Sequence, residues 1–358
     1  MEHKISTLGS HSALDVCEGA KKEGFETIVV AQKGREKTYL GAYKTRKRGD
    51  GEIGIVDNVI LVDKFSQIIE RQKELEKSIF VPNRSFAVYV GYDKIEKEFA
   101  IPVFGNKYLL RAEERDAEKN QYNLMKTAGI RSPKKFSKPE DIDRMAIVKV
   151  SEAERSYERA FFLARDYEDY REKSKYLLMM KKIREEDLKK ATIEEYILGA
   201  HFNFNFFYSP VHEELELLGI DTRRQTNLDG YLRAPADVQL ELLKKAKPST
   251  IEVGHIACTL RESLLEQVFG LGEKFVHACQ KEYKDGIIGP FALQGAIVEE
   301  GKEEFVCFDI SLRMPGSPGT RFTPYSGYLH RENISFGRRI AMEVKEAEKQ
   351  KAIEKITT

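Results

Sequence analysis

Along the first third of the chain, short apolar runs alternate with stretches whose apolar residues recur every three or four positions. The runs predict strands at Lys4–Leu8, Thr27–Ala31, Val59–Val62, Ile79–Val81 and Ile101–Phe104. The periodic stretches predict helices at Ala13–Lys22, Gln67–Lys77, Phe86–Lys97 and roughly Lys107–Ala128. Strands alternating with helices make a parallel sheet with right-handed crossovers, and such sheets bind ligands at the carboxyl ends of their strands. The loops that fall there are small and polar: Gly9–Ser12, Gln32–Arg35, Pro82–Ser85 and Gly105–Lys107. Their convergence predicts one polar crevice.

The pattern changes after Gly129. Met145–Val150 and Arg159–Leu163 read as the two strands of a hairpin around the charged turn Ser151–Glu158, and a charged helical region, Tyr167–Lys190, follows. A third pattern opens with the strand Ile193–Leu198 and the run Phe202–Tyr208, whose alternation puts Phe on one face and Asn on the other. An antiparallel partner is expected at Glu214–Gly219, then a helix at Thr259–Lys284, strands at Gly289–Ile297 and Glu304–Leu312, and a closing helix at Phe336–Lys355. These shifts divide the chain into units 1–128, 129–192 and 193–358. The fold class is α/β, with α+β character in the C-terminal part.

Four features add chemistry to this framework. In Gly9-Ser10-His11-Ser12 the serines suit a helix N-cap, and free N–H groups at a helix start attract phosphate. His11 stands at the mouth of that loop, so a nucleotide-like substrate is expected there. Lys149 lies inside an apolar strand, where a charge needs an anionic partner. A nucleotide phosphate would serve, and so would snorkelling to water. Glu194 and Glu195 could hold an adenine amino group and ribose hydroxyls, with Tyr196 and Ile197 reading the base edge, or they could form an exposed acidic strand end. Gln294 and Asp309 would point at one spot if their strands are adjacent and in register. One carboxylate and one amide oxygen, completed by phosphate oxygens, suit Mg²⁺, with Arg313 placed to clamp a phosphoryl group. Two solvated polar residues are the plain alternative.

Composition narrows the partners. With 59 Lys and Arg against 58 Asp and Glu, the net charge of +1 supplies no field for nucleic acid or a membrane surface. No apolar run approaches the ~18 residues of a membrane span, and no signal peptide precedes the first strand, so a cytoplasmic protein is expected. Cys17, Cys258, Cys279 and Cys307 form no CxxC pair and read as free thiols. The basic, glycine-flanked excursion at 41–56 could touch a partner or be a plain surface hairpin. No GxGxxG follows the first strand, which disfavours a dehydrogenase.

Several further motifs carry a resemblance that runs nearly end to end. They are Gly105-Asn106-Lys107 with Arg111, Phe207-Tyr208-Ser209 and Arg261-Glu262-Ser263-Leu264-Leu265. Gly289-Pro290-Phe291, Pro324-Tyr325-Ser326 and Gly337-Arg338-Arg339-Ile340-Ala341 continue it. Together with the stretches above, the chain resembles the archaeal formate-dependent synthetases that formylate 5-aminoimidazole-4-carboxamide ribonucleotide in purine biosynthesis. These are ATP-grasp enzymes with an N-terminal Rossmann-like domain. The resemblance implies that ATP phosphorylates formate and that the substrate amine attacks the acyl phosphate. It implies His11, Ser12, Ser85 and His255 at the ribonucleotide. Arg111, Lys149, Glu194, Glu195, Tyr196 and Ile197 would lie at ATP, Gln294 and Asp309 at Mg²⁺ (or Mn²⁺), and Arg313 with His11 in catalysis. It also implies a homo-oligomer. The chain departs from the family where a glycine-rich phosphate loop becomes Ser151–Glu158, a metal Glu becomes Asp309 and a substrate-contacting Asn becomes His255. Two more runs differ: Pro315–Arg321 replaces a Gly-Gly-Thr-Asn run, and Arg224-Gln225-Thr226 replaces Tyr-Glu-Ser. These departures imply the alternative of a divergent or catalytically degenerate paralogue.

Overall fold

The computed structural model describes residues 2–114, 117–150, 161–246, 251–299 and 301–358. In the first unit, β1 (Lys4–Leu8) is followed by α1 (Ala13–Glu23), β2 (Thr27–Gln32), the hairpin β3 (Arg46–Arg48) and β4 (Gly51–Ile53), then β5 (Asn58–Val62) and β6 (Ser78–Val81). The sheet runs β5-β2-β1-β6, and every pairing in it is parallel. β1 is central, so its carboxyl end opens into the middle of the sheet edge. The basic excursion is the exposed β3–β4 hairpin.

Several helices of the first unit are shorter than the sequence period suggests. The stretch expected at Phe86–Lys97 is two helices, α2 (Arg84–Val90) and α3 (Tyr92–Lys97), split at Gly91 with φ 89°. Gln67–Lys77 holds two 3₁₀ turns instead of a helix, and Lys107–Ala128 is broken by the Asn120 cap before α4 (Gln121–Thr127). A capping side chain that satisfies two amides competes well with a continuous helix.

The second sheet, order β7-β10-β8-β9, contains β7 (Lys135–Phe136), β8 (Ala146–Lys149), β9 (Phe161–Ala164) and β10 (Thr192–Glu195). Helices α5 (Tyr167–Met179) and α6 (Glu185–Lys189) intervene. β8 and β9 pair antiparallel, as a hairpin should; the turn Ser151–Glu158 lies outside the described residues. β10 bonds to β8 and β7, so a boundary at 192/193 would cut it from its partners, and this sheet extends to Glu195.

The third sheet is antiparallel, order β13-β12-β11-β14-β15. It is built from β11 (Ala200–Ser209), β12 (Glu214–Gln225), β13 (Glu252–Cys258), β14 (Gly289–Glu299) and β15 (Glu303–Ser311). The helices α7 (Thr226–Tyr231) and α8 (Ala236–Lys245) precede β13, and α9 (Leu265–Glu282) precedes β14. Phe204 and Phe206 pack toward α9, while a bulge after Asn205 turns Phe207 to the opposite face, against β1 and the last helix. Both faces of the sheet are therefore buried.

The chain closes with α10 (Tyr325–His330) and α11 (Phe336–Gln350). α11 crosses α1 so tightly that a Cβ on Gly19 would lie 2.1 Å from the Arg338 nitrogen, and one on Gly337 2.0 Å from the Asp15 oxygen. It ends at Lys351, which adopts left-handed φ 53°, instead of continuing to Lys355. Buried Arg339 joins it to the third sheet, pairing with Glu216 and Glu343, while Ser209 donates to Glu343 at 2.7 Å. The final residues return to the first unit, where Val103 and Thr358 exchange backbone bonds of 3.0 Å. The third unit thereby locks onto the loops at the ends of β1 and β6.

Candidate active site

At the end of β1, Ser12 adopts a left-handed conformation, φ 63°, ahead of α1. Its hydroxyl does not cap the helix; it donates to the Pro315 carbonyl at 2.8 Å, across 303 residues of sequence. The Ser85 hydroxyl donates to Ser10 at 2.7 Å, and the Asn83 amide donates to the Leu8 carbonyl at 2.9 Å. The Gly9–Ser12 and Pro82–Ser85 loops thus form one rim. The other two loops serve elsewhere. Asn106 ties its loop to the carbonyls of Lys284 and Gly286, and Lys33 pairs with Asp63 on the surface.

Opposite this rim runs Pro315–Ser317. A Cβ on Gly316 would stand 2.6 Å from His11 Nδ1 and 3.7 Å from His255 Nε2, so the missing side chain lets the two histidines flank one backbone. Their environments differ in sign. One side of His11 is open to solvent, yet burial of its ring and then the Arg313 guanidinium hold its pKa below the usual histidine range. Burial also disfavours charge on His255, but Asp221 and Glu252 outweigh it and hold its pKa up at about 9. His255 Nδ1 faces Asp221 at 2.5 Å and Ser317 Oγ at 3.0 Å, and Nε2 faces Glu252 at 2.8 Å. The imidazolium is spent on two carboxylates.

Asp221 is itself buried on β12 and receives the amides of Asn203 (2.9 Å) and Asn205 (2.6 Å) from β11. The polar side of the Phe/Asn alternation thus anchors the site. Glu252, with its pKa lowered to about 2 against burial by His255 and Arg223, pairs with Arg223 Nε at 2.8 Å. Arg223 then hydrogen-bonds the side-chain oxygen of Gln294 and lies 3.9 Å from the Asp309 carboxylate. Gln294 and Asp309 are paired across β14 and β15, as the sequence required. The expected metal position is, however, covered by a guanidinium. No group of three or more His, Cys, Asp or Glu that could hold a metal occurs among the described residues.

Arg313, just past β15, is 7% exposed and pairs with Glu113 at 3.3 Å, with Arg84 4.0 Å from the same carboxylate. Its Nε is buried with no hydrogen-bond partner among the described residues.

The second sheet carries the remaining candidates. Lys149 and Glu194 are both buried and form an ion pair, so the anionic partner of this lysine is a side chain on the neighbouring strand. Tyr122 donates to Glu194 at 3.0 Å. Strand alternation turns Glu195 the other way, to Arg144 (3.3 Å) and the Lys134 amide (3.2 Å). Tyr196 cannot offer its amide to a base, because that N–H donates to the Met145 carbonyl at 2.9 Å; Ile197 is buried against Ala296, Val298 and Val306. Arg111 is held by ion pairs of its own. Both Glu96 (3.0 Å) and Asp93 (2.9 Å) hold its guanidinium on α3.

Two families match the chain: a protein of unknown function (DUF1246) over residues 5–136, and a domain of unknown function (DUF1297) over residues 169–358. The chain is 41% identical, over 99% of its own length and 94% of the relative's, to a 5-formaminoimidazole-4-carboxamide-1-(beta)-D-ribofuranosyl 5'-monophosphate synthetase of Methanopyrus kandleri. The chain belongs to this synthetase family. A crystal structure of an IMP biosynthesis protein PurP from Thermococcus kodakaraensis matches with TM-score 0.73 at 30% identity, covering 99% of this chain and 100% of that one. The biotin carboxylase domain of Hydrogenobacter thermophilus 2-oxoglutarate carboxylase, solved with MgADP, ADP and bicarbonate, matches with TM-score 0.60 at 13% identity, covering 96% and 70%. The fold is ATP-grasp.

Sequence reasoning missed Arg223, Asp221, Glu252, Ser317 and Glu113. The Asn face of β11 pointed to Asp221; the others lie in residues 220–258 and in loops, where no periodicity marks them.

Proposed function

We propose that this chain is an ATP-dependent carbon–nitrogen ligase that formylates 5-aminoimidazole-4-carboxamide ribonucleotide with formate in purine biosynthesis. The observation that carries this reading is the 41% identity to a synthetase of that name over 99% of the chain. ATP phosphorylates formate. The substrate amine attacks the formyl carbon, the carbon–oxygen bond to phosphate breaks, and phosphate leaves. His11, held neutral near pH 7, takes the amine proton. The unpartnered Nε of Arg313 is ready for an oxygen of the transferring group, and fixed donors of this kind supply most of the stabilisation in such reactions. Ser10, Ser85 and Ser12 rim the ribonucleotide, and Lys149 with Glu194 lines the ATP side.

Gln294 and Asp309 do not make a magnesium site by themselves: two oxygens face one spot and Arg223 covers them. That cover, with the glycine-free run Ser151–Glu158, favours a second reading, a paralogue that binds the ribonucleotide without ATP chemistry. ADP release separates the two. A mixture of ATP, Mg²⁺, formate and the ribonucleotide should yield ADP in step with formylated product; ribonucleotide binding without ADP, whichever acid is supplied, overturns the ligase.

We assign the cytoplasm as its compartment; no described helix is long and apolar enough to cross a membrane. Homo-oligomerisation belongs to the same reading. Leu240 (64% exposed) and Leu243 on α8, with Val253 (66%) on the edge strand β13, offer a face for a second copy. Light scattering of wild type against Leu240→Glu tests it, with a smaller particle expected for the variant.

A further inference from the structure

Beside the serine rim stands a guanidinium with little to hold. Arg84 follows Asn83, whose amide donates to the Leu8 carbonyl at 2.9 Å and whose side-chain oxygen accepts the Phe86 N–H at 3.2 Å, so this loop is fixed against the end of β1. Ser85, the next residue, donates to Ser10 at 2.7 Å, which leaves the Ser10 proton to be given elsewhere. Among the described residues the Arg84 guanidinium forms no hydrogen bond, and its one ion contact is Glu113 at 4.0 Å. That carboxylate is already engaged by the Leu312 N–H at 2.7 Å and by Arg313 at 3.3 Å, so two guanidinium groups share one acid. Glu114, beside it, accepts the Tyr92 hydroxyl at 2.9 Å. Other arginines of the molecule are better served: Arg111, Arg223 and Arg339 hold carboxylates at 3.0, 2.8 and 2.6 Å. After burial, Arg313 and, more weakly, Arg84 hold the His11 pKa down, which places both cations near the mouth of the rim.

We propose that Arg84 is a specificity-determining residue that seats the substrate's phosphate monoester beside the free Ser10 proton, and so selects a ribonucleotide over its nucleoside. The assignment rests on the ribonucleotide reading proposed above and adds the residue that recognises its charged end. A phosphate monoester carries close to two negative charges at neutral pH and three strong acceptor oxygens. The planar fork of a guanidinium meets two such oxygens at once. The hydroxyls of the rim are neutral, and that of Ser12 is spent on the Pro315 carbonyl, so serines alone leave the charge of a dianion uncompensated. Arg313 is buried and tied to Glu113. Arg84 is free to answer the phosphate: its side chain is 41% exposed, and turning from a 4.0 Å contact breaks no hydrogen bond. The Ser85 hydroxyl, donating to Ser10, polarises Ser10 as a donor to the same anion.

The test is calorimetry on the full chain, with 5-aminoimidazole-4-carboxamide ribonucleotide, its nucleoside and ribose 5-phosphate as probes. Arg84→Ala should weaken the ribonucleotide and ribose 5-phosphate about tenfold and leave the nucleoside within about twofold, since only the phosphate loses a partner. Arg84→Lys keeps the charge but not the fork, so its affinities for the two phosphates should fall between. An equal loss for ribonucleotide and nucleoside, or no loss for either, overturns the assignment to Arg84 and leaves the ribonucleotide reading standing, because the wild type still binds. A wild type that binds neither ribonucleotide nor nucleoside overturns that reading instead. Ribose 5-phosphate then decides for Arg84: a loss of about tenfold in Arg84→Ala supports the monoester seat, and unchanged or undetectable binding overturns it. If Arg84→Ala fails to fold, Arg84→Lys decides, with a loss confined to the phosphate-bearing probes in favour and equal affinities against.

Discussion

On the function proposed above, the molecule has a ribonucleotide side, the rim around Ser12 and Pro315, and a nucleotide side, the second sheet, and the two are held together in different ways. On the ribonucleotide side, contacts join residues hundreds of positions apart: Ser12 to Pro315, Gly316 against His11, Gly337 against Asp15. On the nucleotide side, the polar centre is local to one small sheet, where Lys149 and Glu194 neutralise each other and Tyr122 adds one bond. The first side is tied by long-range contacts, and the second centres on one buried ion pair beside its own apolar cluster. A molecule built so can keep its substrate rim fixed while the small sheet changes its charge state when a ligand enters.

The largest effect should come from breaking that pair. Glu194→Ala removes the buried carboxylate that faces Lys149 and should cost about 3–5 kcal/mol in urea unfolding. Lys149→Met with Glu194→Leu removes both charges and should recover most of the loss. If the single variant costs no more than the double one, the pair is not the centre of the sheet.

The second test concerns pH on the ribonucleotide side. His255 has its pKa raised to about 9 in the folded chain, above its ordinary value of 6.5. Its contribution is therefore complete below pH 6.5 and disappears as pH rises through about 9. Discounted for partial exposure, the loss should reach roughly 2 kcal/mol between pH 6.5 and 9. His255→Asn should flatten that slope. A wild-type slope that persists in the variant would assign it to other groups.

The third test acts on geometry alone. Gly316→Ala places a methyl 2.6 Å from His11 Nδ1, and the imidazole, being the end of a side chain, can swing away. Stability should change little, while ribonucleotide affinity by calorimetry should fall about tenfold if a displaced His11 no longer lines the proposed rim. ATP affinity should hold. An equal fall for both ligands would mean that the two sides are not independent.

The strands Lys4–Leu8, Thr27–Ala31, Val59–Val62 and Ile79–Val81, their parallel sheet, and the Gln294/Asp309 pairing were legible because period and burial act locally; Ile101–Phe104, expected as a strand, makes only isolated bridges at Val103 and Phe104. The helix breaks at Gly91 and Asn120 were not, since one left-handed glycine and one capping side chain override a periodicity summed over ten residues. In the site, His11 and Lys149 stood out as unusual residues at or near strand ends, while Ser85 came only through the resemblance. What surrounds them did not. Arg223, Glu252 and Asp221 come together only when β12 and β13 pair, and long-range pairing leaves no mark on a single stretch of sequence.

Arg111 gives the smallest effect and the clearest contrast between the two sides. Resemblance puts it at the nucleotide, but Glu96 and Asp93 hold its guanidinium on α3, half exposed and stacked 5.5 Å from the Tyr92 ring. To meet a phosphate it would have to leave two carboxylates. Exposed ion pairs of this kind contribute below about 1 kcal/mol, so Arg111→Gln should move the unfolding midpoint only slightly. ATP affinity should change by less than about twofold, since a screened, already neutralised guanidinium adds little attraction for a triphosphate. A tenfold loss of ATP affinity with an unchanged fold would instead show that the ion pair opens on binding. The nucleotide side would then borrow charge from the first unit, and its locality, the basis of the contrast with the ribonucleotide rim, would fail.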